Sequence, residues 1–270
     1  MQTTESAAPA STAEYDLLLD LISRRASVRK LKPDPIPEEF VTKILEAGRW
    51  AMSGANSQPW EFVVVTDPQT KKDLFHAYVH ENNDFIYWME QQRVVELRHP
   101  SFQISAEEAV RRSREEVGWS QAPVLICVLG DGRRQWGTVH GAHTFGRNQT
   151  HLTDGLANAC MLMHLAAAAL GLGSQHTTIH IQEPFKRILG VPDLLTFALI
   201  MPVGWPAVEP QRGVRRPLEE MVHRERYDMS KYMSNAGVID YLYALRKRTI
   251  PKYRKSYTGD ADAPGDPRDQ

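Results

Sequence analysis

Arginine is the residue whose distribution in this chain first points to chemistry. Arg24, Arg25 and Arg29 crowd one short stretch, and Arg212, Arg215 and Arg216 crowd another just before Pro217. Both groups adjoin breaks in the chain pattern, the first being followed by the proline-rich "KLKPDPIP". A guanidinium is a planar fork that bonds two oxygens at once, which suits phosphate. On charge alone these would be ordinary solvated side chains, because isolated surface charges do little. No glycine-rich dinucleotide fingerprint follows the first expected strand, and no Walker loop is present. A phosphate held here is therefore held by side chains.

Histidine offers a competing chemistry. "HGAH" places His140 and His143 three apart, and "HTTIH" places His176 and His180 four apart. Such spacings suit metal ligands on one helix face. "HTTIH" reads as a strand, however, where residues four apart share a face but lie ~13 Å from one another, too far for one ion. "HGAH" contains glycine and reads as loop, and no carboxylate stands beside either pair. We expect no metal. Cys127 and Cys160 each sit inside an apolar run and read as buried small side chains, not as a disulfide framework.

Six short segments, in order, carry a resemblance. They are Arg25-Ala26-Ser27-Val28-Arg29, then Ser53-Gly54-Ala55-Asn56-Ser57-Gln58-Pro59-Trp60, "ALGLGS" (169–174), "ILGVP" (188–192), "MPVGWP" (201–206) and "RRPLEEMV" (215–222). Together, over about residues 15–225, they resemble the FMN-dependent nitroreductase family. The resemblance implies that Arg25 reaches the FMN phosphate. It puts Ser27 in a short hydroxyl contact and Arg29 beside the flavin N1–C2 edge, where a cation favours the reduced form. Arg215 falls where the family has a second phosphate-binding cation. Ala26 departs from the pattern, since many members carry a second basic residue there. Met52, Ser53, Gly54 and Asn56 match a loop that reaches the FMN of the other subunit, with Ala55 near the substrate face. Thr177 and Thr178 match the segment that passes the isoalloxazine ring, and Thr178 or its N–H is the candidate for the bond to N5. Trp60 reads as core packing, with Pro59 fixing the turn before it.

The implied activity is ping-pong reduction: NAD(P)H gives hydride through N5, and an electron-poor aromatic (nitroaromatic, quinone or halogenated phenol-like) then takes it. The protein's part is to bind, orient and tune the flavin. "SGA", the threonine pair, "PVGWP" and the basic-basic-Pro-Leu ending lean toward the reductive dehalogenase branch that includes the iodotyrosine deiodinases. The deiodinase lid holds its amino acid with a Glu and a Tyr four residues on, whereas Glu81 is followed at that spacing by Phe85. Iodotyrosine itself is therefore not expected. Phe85, Tyr87, Trp88, Phe102 and Trp119 are candidates to stack on a flat aromatic substrate. Two other readings stay open: an oxygen-using flavin oxidase of the same fold, and a flavin-binding module without turnover.

The elements that must position these residues follow from hydrophobic periodicity. Helices are expected at 14–25, over "EEFVTKILEAGRWAM" from Glu38, from about Gln69 to His80, over "LTDGLANACMLMHLAAAALGLG", over "EPFKRILG" and over "GVIDYLYALRKR". Strands are expected at "WEFVVVTD", "APVLICVLGD", "SQHTTIHI" and "LLTFALIMPVGWP". The "LTDG…" helix is apolar almost all round and is expected to be central. Residues 132–151 read as irregular, and 81–119 as a polar, aromatic-dotted lid. The fold class implied by the resemblance is α+β: a central mixed, mostly antiparallel sheet flanked by helices, in an intertwined homodimer. Residues 1–13 and 258–270 read as disordered tails, 14–225 as the FMN-binding domain, and 226–257 as an arm on the partner subunit. With 270 residues, 42% hydrophobic and a net charge of −1, the chain can bury a core and has no field for nucleic acid. No signal peptide or run of about 18 apolar residues is present, so a cytoplasmic protein without a membrane span is expected.

Overall fold

A computed structural model describes residues 12–95, 98, 102, 104–115, 119–134 and 147–258. Helices α1 (Ala13–Arg24), α2 (Glu38–Arg49) and α3 (Pro68–Ala77) form where expected, with strand β1 (Trp60–Val65) between the last two. Asp67 caps α3 by accepting the Thr70 N–H, and Pro68 suits its first turn. A π-helical turn, Tyr78–Asn83, carries the chain from α3 into α4 (Asp84–Gln91), and α5 (Ala106–Glu115) completes the described part of the lid. After β2 (Val124–Gly130) come α6 (Arg147–Ala169), β3 (Gly173–Ser174), β4 (Thr177–Thr178), α7 (Glu183–Leu189), β5 (Thr196–Gly204) and α8 (Asn235–Thr258).

The sheet runs β1-β2-β5-β3, with β4 also on β5, and every strand pair is antiparallel. Among the described residues, the mixed character reduces to one isolated parallel bridge, Ser27 with Ser174. β2 is buried along its whole length, so each face of the sheet carries a core. Val124, Ile126 and Val128 pack with α2 and α6, whereas Leu125, Cys127 and Leu129 pack with Leu74 of α3 and Phe185 of α7. Burial pushes the thiols of Cys127 and Cys160 up to about 12, as befits inert apolar residues. Phe185 is fully buried with its ring 5.5 Å from that of Phe197. Phe185→Ala is expected to remove about 3–5 kcal/mol of stability, read as a fall in the urea midpoint.

Three expectations change. The single strand "SQHTTIHI" is split into β3 and β4, although both keep one register on β5. The cause is Pro202: Gln175 N donates to its carbonyl at 3.3 Å, but proline has no N–H to return the bond. α6 begins at Arg147, inside the segment read as irregular. It is also not buried all round. Ala159, Cys160, Met163 and Ala167 face the core, while Met161 and Leu162 are exposed on the far side. α1 likewise buries none of its residues and exposes Tyr15, Leu17, Leu18, Leu19 and Ile22.

Candidate functional site

The stretch after α1 is extended and clamped on both sides. Val28 N donates to Ser174 O at 2.9 Å, Lys32 N to Trp205 O at 2.8 Å, and Ala207 N to Lys30 O at 2.9 Å. Val28 and Leu31 are its buried anchors. The approach to β3 requires glycine at 173, where a Cβ would lie 2.8 Å from the Val28 Cβ. Arg25, Ala26, Ser27 and Arg29 of this stretch are only partly buried, in contrast to Val28 and Leu31. The chain leaving β5 passes beside this stretch with Gln211–Arg215.

Together these segments line a cleft of about 220 Å³: Arg25, Ala26, Ser27 and Arg29 from one, Gln211 through Arg215 from the other, and Thr249 from α8. Four arginines thus line one cleft, and among the described residues no carboxylate lines it. Half-burial, and then the nearby Arg215 charge, hold the Arg25 pKa below its ordinary value. Two like charges face each other there without an acidic partner, which is an arrangement that favours an anion between them. Arg212, though it lines the cleft, also pairs with Asp20 at 3.7 Å, and Arg215 Nη1 donates to the Val214 carbonyl at 2.9 Å. The other arginines of the two groups are engaged elsewhere. Arg24 pairs with Asp20 at 3.1 Å, and Arg216 with Glu220 at 3.4 Å while lying over the Tyr241 ring.

β4 pairs with β5 in the register of β3, whose Ser174 bridges Ser27 of the cleft. Thr177 is buried, its hydroxyl without a partner among the described residues, whereas Thr178 is exposed, as are His176 and His180 on either side of the pair. The exposed edge runs from His176, whose ring is 5.8 Å from that of His164, to His180, whose ring is 5.5 Å from that of Phe85 in the lid. One end of this edge thus lies beside His164 of α6 and the other beside the lid. Among the described residues no three His, Cys, Asp or Glu side chains gather as a metal site, and His140 and His143 lie outside those residues.

The loop carrying Met52, Ser53, Gly54, Ala55 and Asn56 does not line this cleft. It forms a 3₁₀ turn at Gly54–Asn56, held by Ser53 Oγ accepting the Gln58 N–H and by Asn158 Nδ2 donating to Met52 O at 3.1 Å. Ala55, Asn56 and Gln58 have positive φ, a strain that side-chain-bearing residues adopt only where the surroundings impose it. Met52 is 78% exposed. Within one chain this loop points to solvent, away from the arginines.

Of the lid aromatics, Phe85 and Trp88 are exposed. Tyr87 and Trp119 are corrections. Tyr87 is buried inside the lid and its hydroxyl donates to Ile104 O at 3.1 Å. Trp119 is 3% exposed and sits edge-on to Phe75 and Tyr78 in the second core, so it is a packing residue beneath the lid. The sequence reading missed Gln211, Gly213, Val214 and Thr249 as cleft residues, because nothing local marks them. It also missed His164, whose one signal was a lone polar residue in an apolar helix.

The chain shares 27% identity over 193 residues with rat iodotyrosine deiodinase 1, covering 70% of this chain and 61% of that protein. It shares 28% over 215 residues with an NADH dehydrogenase of Thermus thermophilus, covering 74% of this chain and 91% of that protein. The chain thus spans about three fifths of the length of the rat deiodinase. The fold matches that of oxidised iodotyrosine deiodinase bound to FMN and 3-iodo-L-tyrosine with a TM-score of 0.57 at 20% identity, covering 78% of this chain and 100% of that one. It also matches NfrA2 of B. megaterium with a TM-score of 0.59 at 18% identity, covering 90% and 85%. The nitroreductase family model fits residues 22–205, and with its arginine cleft beside a split edge strand the chain belongs to the nitroreductase family.

Proposed function

We propose that the chain is an FMN-dependent oxidoreductase that uses NAD(P)H to reduce an electron-poor aromatic, working as a homodimer. The observation that carries this reading is the Arg25–Arg215 cleft, two facing cations with no lining carboxylate among the described residues. Its donor set fits a phosphate monoester. Arg25 and Arg215 would neutralise that phosphate, Ser27 would add a hydroxyl, and Arg29 would stand beside the ring. Bound there, FMN supplies the hydride chemistry. Thr178, on the exposed edge of β4, would hold the ring at N5. Phe85 and Trp88 offer exposed aromatic faces for a flat acceptor. The exposed loop Met52–Asn56 would complete the partner's site, which makes the dimer necessary for turnover. The name of the Thermus relative supports NADH as donor. The lid argues against iodotyrosine as the acceptor, because Phe85 stands where the deiodinase pattern has a tyrosine.

The purified protein is expected to be yellow, with a flavin spectrum, and to oxidise NAD(P)H anaerobically only when a nitroaromatic, quinone or halophenol is added. A colourless protein that stays so with added FMN would refute the reading. Turnover that needs oxygen and ignores every aromatic would favour the oxidase alternative.

A further inference from the structure

His164 is a buried ionisable group that this function does not use. It lies on α6, 4% exposed, with Nδ1 2.7 Å from Ser174 Oγ. Its Nε2 is buried and has no partner among the described residues, so Nδ1 carries the one bond seen there, and the tautomer follows whichever role the serine hydroxyl takes. Ser174 is a junction. Its carbonyl accepts the Val28 N–H, its backbone bridges Ser27, and it pairs with Val203 of β5. The stretch carrying Arg25 and Ser27 therefore hangs on Ser174, and the side chain of Ser174 hangs on His164.

We propose that His164 is a positioning residue for the anion cleft: through Ser174 it fixes the Arg25–Ser27 strand so that the chain prefers flavins carrying a terminal phosphate. The titratable groups that act on it are His176, with rings 5.8 Å apart and its own pKa lowered by burial, and Arg25. Burial, then these two neighbours, push its pKa down to about 3, so the imidazole is neutral near pH 7 and adds no further cation beside the arginines. A leucine here would keep the packing and lose the bond, leaving the buried Ser174 hydroxyl unpaired and the strand free to shift.

This inference rests on the FMN reading, and the experiment separates the two. FMN and riboflavin, which lacks the phosphate, are titrated by flavin fluorescence into FMN-free wild type, His164→Leu, His164→Gln and Ser174→Ala, with thermal unfolding measured in parallel. His164→Leu and Ser174→Ala are each expected to weaken FMN about tenfold while leaving riboflavin within about twofold, and the double variant to be no worse than either alone. His164→Gln, which can still bond the serine, is expected to restore most of the preference. A purely structural role would weaken both flavins together. Equal loss for the two flavins, or an unchanged preference in His164→Leu, overturns the proposal. A wild type that does not prefer FMN overturns the phosphate assignment of the cleft itself, and the inference with it.

Discussion

Replacing Arg25 with alanine is expected to weaken FMN binding by about 10- to 150-fold, the equivalent of the roughly 1.5–3 kcal/mol that a hydrogen bond to a charged group contributes. The same change is expected to leave the FMN-free protein no less stable. Arg25 is half-buried and faces Arg215 across the cleft, with no acidic lining residue among those described. In the empty cleft the two guanidinium groups repel each other, so removing one relieves a cost. In the loaded cleft the anion turns both into attractions, so removing one loses affinity. The two signs are opposite, which distinguishes a ligand-binding cation from a structural one. Arg25→Ala/Arg215→Ala together should bind FMN and riboflavin alike. Arg25→Lys should fall between, since it keeps the charge and loses the fork. The measurements are a fluorescence titration at two salt concentrations and thermal unfolding without flavin. A variant that melts earlier without flavin, and binds FMN as tightly as wild type, would show that Arg25 holds the fold and not a phosphate.

Leu18→Asp/Ile22→Asp is expected to convert a dimer to monomers and, with it, to abolish tight FMN binding. α1 has no buried residue, and a helix of 12 residues is marginal in water without a packed face. Yet Leu18 and Ile22 are one turn apart and about half exposed, flanked by Tyr15, Leu17 and Leu19. Such a stripe needs a partner surface. Met161 and Leu162 on the outer face of α6, and Trp50 and Met52 after α2, extend the exposed apolar surface. In a two-fold dimer each substitution acts twice. At roughly 1.5–3 kcal/mol for each aliphatic side chain taken from full exposure to full burial, and with Leu18 and Ile22 about half exposed in the single chain, the two changes remove roughly 3–6 kcal/mol of association energy, or at least about 100-fold in the dimer constant. Sedimentation velocity reads the mass, and the flavin content of the peaks reads the site. A variant that stays dimeric and yellow would remove α1 from the interface.

These two predictions draw on different levels of information. Local pattern was enough for most elements. The aliphatic and β-branched runs at Trp60–Val65, Val124–Gly130 and Thr196–Gly204 form strands because such side chains pack on a pleated surface. Glu38–Arg49 forms a helix because Val41, Ile44 and Gly48 recur on one face and meet α6. The arginine groups were visible as types and spacing, and their family resemblance named Arg25, Ser27, Arg29 and Arg215 before any of them was seen to share a cleft.

Other features had no local signature. That Trp119 packs under Phe75 and Tyr78, while Phe85 faces outward, depends on how α3 and the lid fold over the sheet. One aromatic looks like another along the chain. The break in the edge strand belongs to Pro202, a residue on a different strand, so no window around "SQHTTIHI" contains its cause. The role of His164 exists only because α6, β3 and the arginine strand meet at Ser174. The sequence by itself determined which residue types were available and which segments would be helix or strand, because side-chain shape and periodicity act within a few residues. The tertiary structure alone decided which charges face one another and which polar groups lose water, because electrostatic coupling and burial depend on distances between segments that lie far apart in the chain.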